Sequence, residues 1–299
     1  VERAAAATQP ASLRVLSDFI ADSCPELRLI AGEGGTNYEA VLRAAKSWFD
    51  TQTSGTPDFE NLALFLTDGN PTFHLNNSGN PSDGGSGMIV AVEEPGYPPA
   101  RAVFEARGAR VVPVPVDDQG LCVERLPEAA SLVYVTPSHQ FPLGMPMSLE
   151  RRLALLAFAR RHGALVVEDD YDGEFRFEGR PLDALKSLDR EGHVAYLGSF
   201  SKVLHADLRL GYLVMPPGLA TALLQARTFS DGYPPLVTQR ALARLMIDGD
   251  FARHLRRMQR LYTARRTRLG DALAAHPALW TPLPQVAGIH VALRLRSPV

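Results

Sequence analysis

The run Gly198-Ser199-Phe200-Ser201-Lys202, followed by Leu208-Arg209-Leu210-Gly211-Tyr212, sets a primary amine, two hydroxyls and a guanidinium close together in the chain. A lysine at the end of an apolar strand is costly unless it is used, since its ammonium must be paired or neutralised. Stripping water from an ammonium frees the amine to form a Schiff base with an aldehyde. The hydroxyls just before Lys202 and the guanidinium of Arg209 suit a phosphate, the latter through a bidentate grip. Alone, Lys202 would read as an exposed lysine on a loop. The chain has only three lysines, Lys46, Lys186 and Lys202, and its other 28 basic residues are arginines, so each lysine asks for a reason.

Upstream lies Val166-Val167-Glu168-Asp169-Asp170-Tyr171-Asp172-Gly173-Glu174-Phe175. Acids this dense after an apolar strand fit a solvated loop or a divalent-cation site. A third reading joins them to Lys202: a carboxylate at a strand end pairs with the protonated ring nitrogen of pyridoxal phosphate (PLP) and keeps that ring an electron sink. A tyrosine two residues on can then donate to the phenolate oxygen of the cofactor.

These residues need elements to hold them. Strand-like runs are expected at Met88–Val92, Ala109–Val116, Ser131–Thr136, Ala164–Glu168, His193–Gly198 and Leu208–Met215. Several are almost wholly apolar, as strands covered on both faces must be. A helix starts at Ser148 as N-cap and runs to His162, with Gly163 as its stop. Further helices fall at Gly218–Phe229, Val237–Ile247 and, long and arginine-rich, Phe251 to Ala275, before a strand at Gly288–Leu295. Alternating strands and helices argue an α/β fold with a largely parallel sheet.

Residues 88–295 resemble the PLP-dependent aminotransferase class I/II (fold type I) domain of MocR-like regulators of the GntR superfamily. The resemblance rests on Val92-Glu93-Glu94-Pro95-Gly96-Tyr97-Pro98, Thr136-Pro137-Ser138-His139-Gln140-Phe141-Pro142-Leu143-Gly144, the Glu-Asp-Asp-Tyr-Asp run, and Gly198 to Lys202 with Arg209 to Tyr212. It implies a three-layer domain, with Lys202 as the Schiff-base lysine, Asp169 as partner of the ring nitrogen and Tyr171 as donor to the phenolate oxygen. Ser199 and Arg209 would hold the phosphate, and Tyr97 would lie against the cofactor ring. His139 is either a core or loop histidine or a cofactor contact. The chain departs from the family pattern in three places. Nothing between Leu62 and Val92 matches the family's phosphate loop, and His205-Ala206-Asp207 stands where a Pro-Gly pair is usual. The arginine that binds a substrate carboxylate would fall beyond Val299. These departures weigh against efficient turnover.

Before residue 88 the texture changes. Asn76 to Gly87 is all turn and linker chemistry. Asn37–Phe49 suits a helix, Leu62–Leu66 a buried strand, and residues 67–71 a turn. Gly34-Gly35-Thr36-Asn37-Tyr38 and Phe65-Leu66-Thr67-Asp68-Gly69-Asn70 resemble a fragment of a von Willebrand factor A domain, which implies Thr36 and Asp68 as ligands for Mg²⁺ or Ca²⁺. The expected organisation is a fragment at 1–75, a junction at 76–87 (a long loop or a chimeric joint), a large PLP-binding domain at 88–275 and the start of a small domain at 276–299, truncated at both ends.

A net charge of −2 gives no electrostatic reason to expect nucleic acid, and no DNA-binding segment is visible. No apolar run is long enough to span a membrane. Cys24 and Cys122 fit a reducing compartment, so the expected location is cytoplasmic. The leading reading is a PLP-binding domain that recognises an amino acid or amine and forms a homodimer. Its rivals are a working aminotransferase and a metal-dependent adhesion module carrying a passenger C-terminal part.

Overall fold

A computed structural model describes residues 62–67, 88–177, 183–231, 235–283 and 287–296. Its centre is a sheet in the order β1-β8-β7-β6-β5-β2-β3-β4. The strands are β1 (Leu62–Thr67), β2 (Ile89–Glu94), β3 (Arg110–Asp117), β4 (Gly120–Leu121), β5 (Leu132–Val135), β6 (Leu165–Asp170), β7 (Val194–Ser199) and β8 (Leu210–Met215). Strands β3, β2, β5, β6 and β7 pair in parallel, β8 runs against β7, and β1 runs against β8. The six strands expected between Met88 and Met215 are all present. The strand expected near Leu62–Leu66 is also present, and it forms an edge of this same sheet, with Leu62 opposite Met215 and Thr67 opposite Leu210.

The parallel strands are apolar because both faces are covered. On one face Val133, Val135, Val166 and Val194 pack with Leu155, Phe158 and Ala159 of α2 (Leu149–His162). The other face meets Phe104 of α1 (Pro98–Ala106) and, towards β8, residues of α4 (Pro217–Asp231), α5 (Leu236–Ile247) and α6 (Asp250–Ala274). The short α3 (Leu185–Leu188) sits beside β7. The start and stop of α2 follow the sequence: Ser148 Oγ accepts from the Arg151 amide at 3.3 Å, and Gly163 takes a left-handed φ of 64°.

Two elements differ from expectation. The strand expected over Gly288–Leu295 shrinks to β10 (Leu293–Leu295), paired only with β9 (Trp280–Pro282). Residues 287–290 are instead stitched to the main sheet's loops: Gly288 N donates to Phe175 O at 2.7 Å, and Arg176 bridges Ala287. Arg152 was read only as part of a helix, yet it is buried. Its guanidinium donates to the carbonyls of Met147, Pro137 and Asp183 at 2.7–3.0 Å, pinning the loop after β5 to α2.

Candidate cofactor site

The parallel strands end on one edge of the sheet, where β8 begins and β1 stops. Loops at that edge are where open α/β sheets bind ligands. It gathers Tyr97 after β2, His139 after β5, Asp169 and Tyr171 at the end of β6, Ser199 and Lys202 at the end of β7, and Arg209 before β8. Residues scattered over more than a hundred positions thus meet because parallel strands share a direction.

The first four of the five acids in the dense run do not form a solvated loop, and they do not converge on one point. Side chains alternate along β6, so they fan out. Glu168 turns to the α2 side, fully buried, and accepts the Leu185 and Lys186 amides at 2.7 Å. Asp169 turns to the opposite face and accepts from the hydroxyl of Tyr134. Asp170 accepts from the Tyr196 hydroxyl at 2.7 Å. Asp172 is buried, 3.0 Å from His139 Nδ1, and accepts the Ile289 amide at 3.1 Å.

The Asp169 carboxyl is raised to about 6, chiefly by burial and further by Asp170 and Asp172, while the Tyr134 hydrogen bond and the Lys202 ammonium pull it down. Burial also holds the Tyr134 and Tyr171 phenols well above their ordinary range. Both therefore remain hydrogen-bond donors at neutral pH.

Tyr171 donates to the backbone oxygen of His139 at 3.0 Å and lies as close to its Nδ1. His139 is buried, and its Nε2 has no hydrogen-bond partner among the described residues. The ring of His290 lies 4.4 Å from that of His139, and its Nε2 is 3.1 Å from Pro142 O. Donor atoms of His139, Asp172 and His290 lie within 4.8 Å of one another, and hydrogen bonds within the chain already account for their closeness. Tyr97 is 43% exposed and meets Phe141 edge-on at 5.3 Å, while Phe141 meets Tyr171 at 6.2 Å. Together these rings wall the edge.

Lys202 is exposed, in the turn after β7. The desolvation inferred from sequence is therefore not what this structure provides; its neighbour is the charge of Asp169. Ser199 accepts the Ser201 amide at 3.1 Å, which leaves its O–H free to donate. Arg209 is exposed, at φ 50°, a conformation that costs any residue but glycine and that collects at functional sites. Asp207, in the stretch where a Pro-Gly pair is usual, is exposed beside His205 at 3.6 Å. Thr36 and Asp68, the expected metal ligands, lie outside the described residues, as does the stretch 68–87 where a phosphate loop was sought.

The family described as aminotransferase class I and II matches residues 84–298. The chain belongs to that family. Among its relatives, the probable rhizopine catabolism regulatory protein MocR of Rhizobium meliloti is 43% identical over 67% of this chain and 41% of its own length. The pyridoxine biosynthesis regulator PdxR of Corynebacterium glutamicum is 37% identical over 70% of this chain and 46% of its own. The chain thus spans less than half of each regulator. Among solved structures, a Pyrococcus horikoshii kynurenine aminotransferase complexed with PMP aligns with a TM-score of 0.72 at 29% identity, over 84% of this chain and 64% of that one. The α-aminoadipate aminotransferase LysN of Thermus thermophilus, complexed with N-(5'-phosphopyridoxyl)-L-leucine, gives 0.68 at 30% identity, over 78% and 61%.

The chemistry of the donor set fits an aminotransferase cofactor. An amine stands one strand from a carboxylate, a phenol lies two residues beyond that carboxylate, and a hydroxyl and a guanidinium follow along the same edge. Sequence reasoning missed Tyr134, Tyr196 and His290, as well as the buried Glu93–Thr136–Gln140 group. In that group Glu93 Oε2 accepts from the Thr136 hydroxyl at 2.7 Å, the Thr136 amide at 3.2 Å and Gln140 Nε2 at 3.3 Å. One signal for Tyr134 was available: a phenol within the apolar run Leu132-Val133-Tyr134-Val135 needs a partner for its O–H.

Proposed function

We propose that this chain is a PLP-binding domain that takes an amino acid or amine as its ligand and serves as the sensing part of a MocR-like regulator. The observation that carries the reading is the convergence of Lys202, Asp169, Tyr171, Ser199 and Arg209 on one edge of the sheet. When bound, PLP supplies an aldehyde that condenses with amines and a cationic ring that draws electrons from the ligand α-carbon. The residues supply the rest. Lys202 offers the amine and can carry a proton at Nζ. Asp169 would face the ring nitrogen, Tyr171 would turn its hydroxyl from the His139 carbonyl to the phenolate oxygen, and Ser199 and Arg209 would hold the phosphate by charge-assisted bonds. His139 and Tyr97 belong to the wall, His139 by steadying Tyr171 and Tyr97 by offering a ring face.

The high identity to regulators favours sensing over turnover. The structural likeness to aminotransferases supports the second reading, an active transaminase. One experiment separates them. The PLP-loaded chain is titrated with a panel of amino acids and amines, then supplied with a keto acid. Sensing gives a saturable change in the visible spectrum without multiple turnover, whereas steady turnover dependent on Lys202 favours the enzyme. No spectral response to any amine contradicts both.

The proposed assembly is a homodimer, consistent with Lys202, Arg209 and Tyr97 standing exposed on the edge. No helix among the described residues is long and apolar enough to cross a membrane, and a cytoplasmic location is proposed with the regulator reading. The von Willebrand-like reading of residues 1–75 gains no support: the family match begins at residue 84, and the one described element in that stretch, Leu62–Thr67, is a strand of this sheet.

A further inference from the structure

We propose that Tyr134 is a positioning residue for the cofactor: its phenol holds Oδ2 of Asp169, keeps that carboxylate ionised, and leaves Oδ1 as the acceptor for a ring N–H. The inference rests on the PLP reading above and adds a residue to it. The pairing follows from strand parity. Tyr134 stands opposite Val167 in the β5–β6 register, and Asp169 is two residues further on, hence on the same face. The phenol thus reaches the carboxylate diagonally across two parallel strands. Among the described residues this is the one hydrogen bond made to the Asp169 side chain.

Packing does not require the hydroxyl. The Tyr134 ring is buried with Val90, Val92, Leu132 and Val167 and meets Phe104 edge-on at 6.1 Å. Phenylalanine would fill that space as well. The hydroxyl matters because of the charges around Asp169. On its own strand and the loop after it stand Asp170, Tyr171 and Asp172; Glu93 approaches from β2, and Lys202 from the end of β7. Two carboxylates, Asp170 and Asp172, thus oppose one ammonium, and Glu93 adds a third once it loses its proton. Among the influences that favour the ionised form of Asp169, the Tyr134 bond outweighs Lys202. A ring nitrogen stays protonated only beside a carboxylate that is itself charged, so the tyrosine would act on the cofactor without touching it.

The test begins on the cofactor-free chain, with ¹³C-labelled aspartate carboxyls followed by NMR against pH and Asp169 assigned with Asp169→Asn. Wild type is expected to titrate at Asp169 near 6. Tyr134→Phe should raise that midpoint by roughly one to two pH units, the size of a hydrogen bond to a charged group. Replacing Tyr134 with 3-fluorotyrosine, a stronger donor of nearly the same shape, should lower it. A purely structural role moves neither, and unchanged or reversed midpoints overturn the proposal. With PLP added, Tyr134→Phe should still be labelled at Lys202 on borohydride reduction, while the pH titration of the visible band shifts from that of wild type. An unshifted band titration also overturns it. Should no variant bind PLP, the cofactor reading fails, and the carboxyl titration still judges the hold of Tyr134 on Asp169.

Discussion

Glu93 shows how single residues under this edge are held, and its charge is testable without any cofactor. The side chain is 3% exposed, and burial raises its carboxyl from 4.5 to about 7, against the pull of bonds from Thr136 and Gln140. Between those values the folded chain keeps a proton that the unfolded chain has released. The stability this group contributes is therefore complete below about pH 4.5 and lost as pH rises through about 7. The expected loss across the window is on the order of 3 kcal/mol. Glu93→Gln keeps a carbonyl oxygen for Thr136 and carries no charge, so urea unfolding of the variant should depend less on pH in this window. An equally steep dependence would mean that Glu93 does not hold the proton. Such chemistry was only half legible in the sequence. The dense run at 168–174 named Asp169 and Tyr171, because strand ends and residue types suffice for that. It could not say that Glu168 and Asp170 turn to the other side, since that needs the strand's boundary and face. Nor could it find Tyr134, whose meaning depends on the register between β5 and β6.

At the scale of elements, the amine and guanidinium are placed by the tight pairing of β7 and β8. Gly198 faces the Tyr212 ring so closely that an added Cβ would lie 2.2 Å from it. Tyr212 is opposite Gly198 in the register and packs near Tyr196 and Phe200, with centroids at 6.0 and 5.6 Å. Gly198→Ala must therefore push the ring or part the strands, and overpacking of this kind costs roughly 1–3 kcal/mol. The expected result is a lower urea midpoint together with weaker PLP binding, since Ser199 and Lys202 follow directly. Weakened stability with unchanged PLP affinity would detach the site from this pairing. The sequence marked both strands through their apolar runs and α2 through its caps. It did not give the antiparallel turn of β8, because period and composition do not encode direction. It also overextended the last strand, since Gly288 to His290 are drawn to the loops after β5 and β6 by Asp172 and Pro142 rather than to β9.

At the scale of the whole molecule, the sheet's common direction is what makes a site from distant residues, and β1 extends that logic to residues before 88. The sequence reading separated Leu62–Thr67 from the rest because local resemblance carries no information about pairing partners. The sheet brings the end of β1 opposite Leu210, next to Arg209. If this edge holds PLP through Lys202, the scarcity of lysine makes the attachment directly measurable. The chain is saturated with PLP, reduced with borohydride, digested and mapped by mass spectrometry. The expected result is a visible absorbance band before reduction, one phosphopyridoxyl group per chain on the peptide containing Lys202, and loss of both in Lys202→Ala. A label on Lys46 or Lys186, or a Lys202→Ala variant that labels as wild type does, would contradict it.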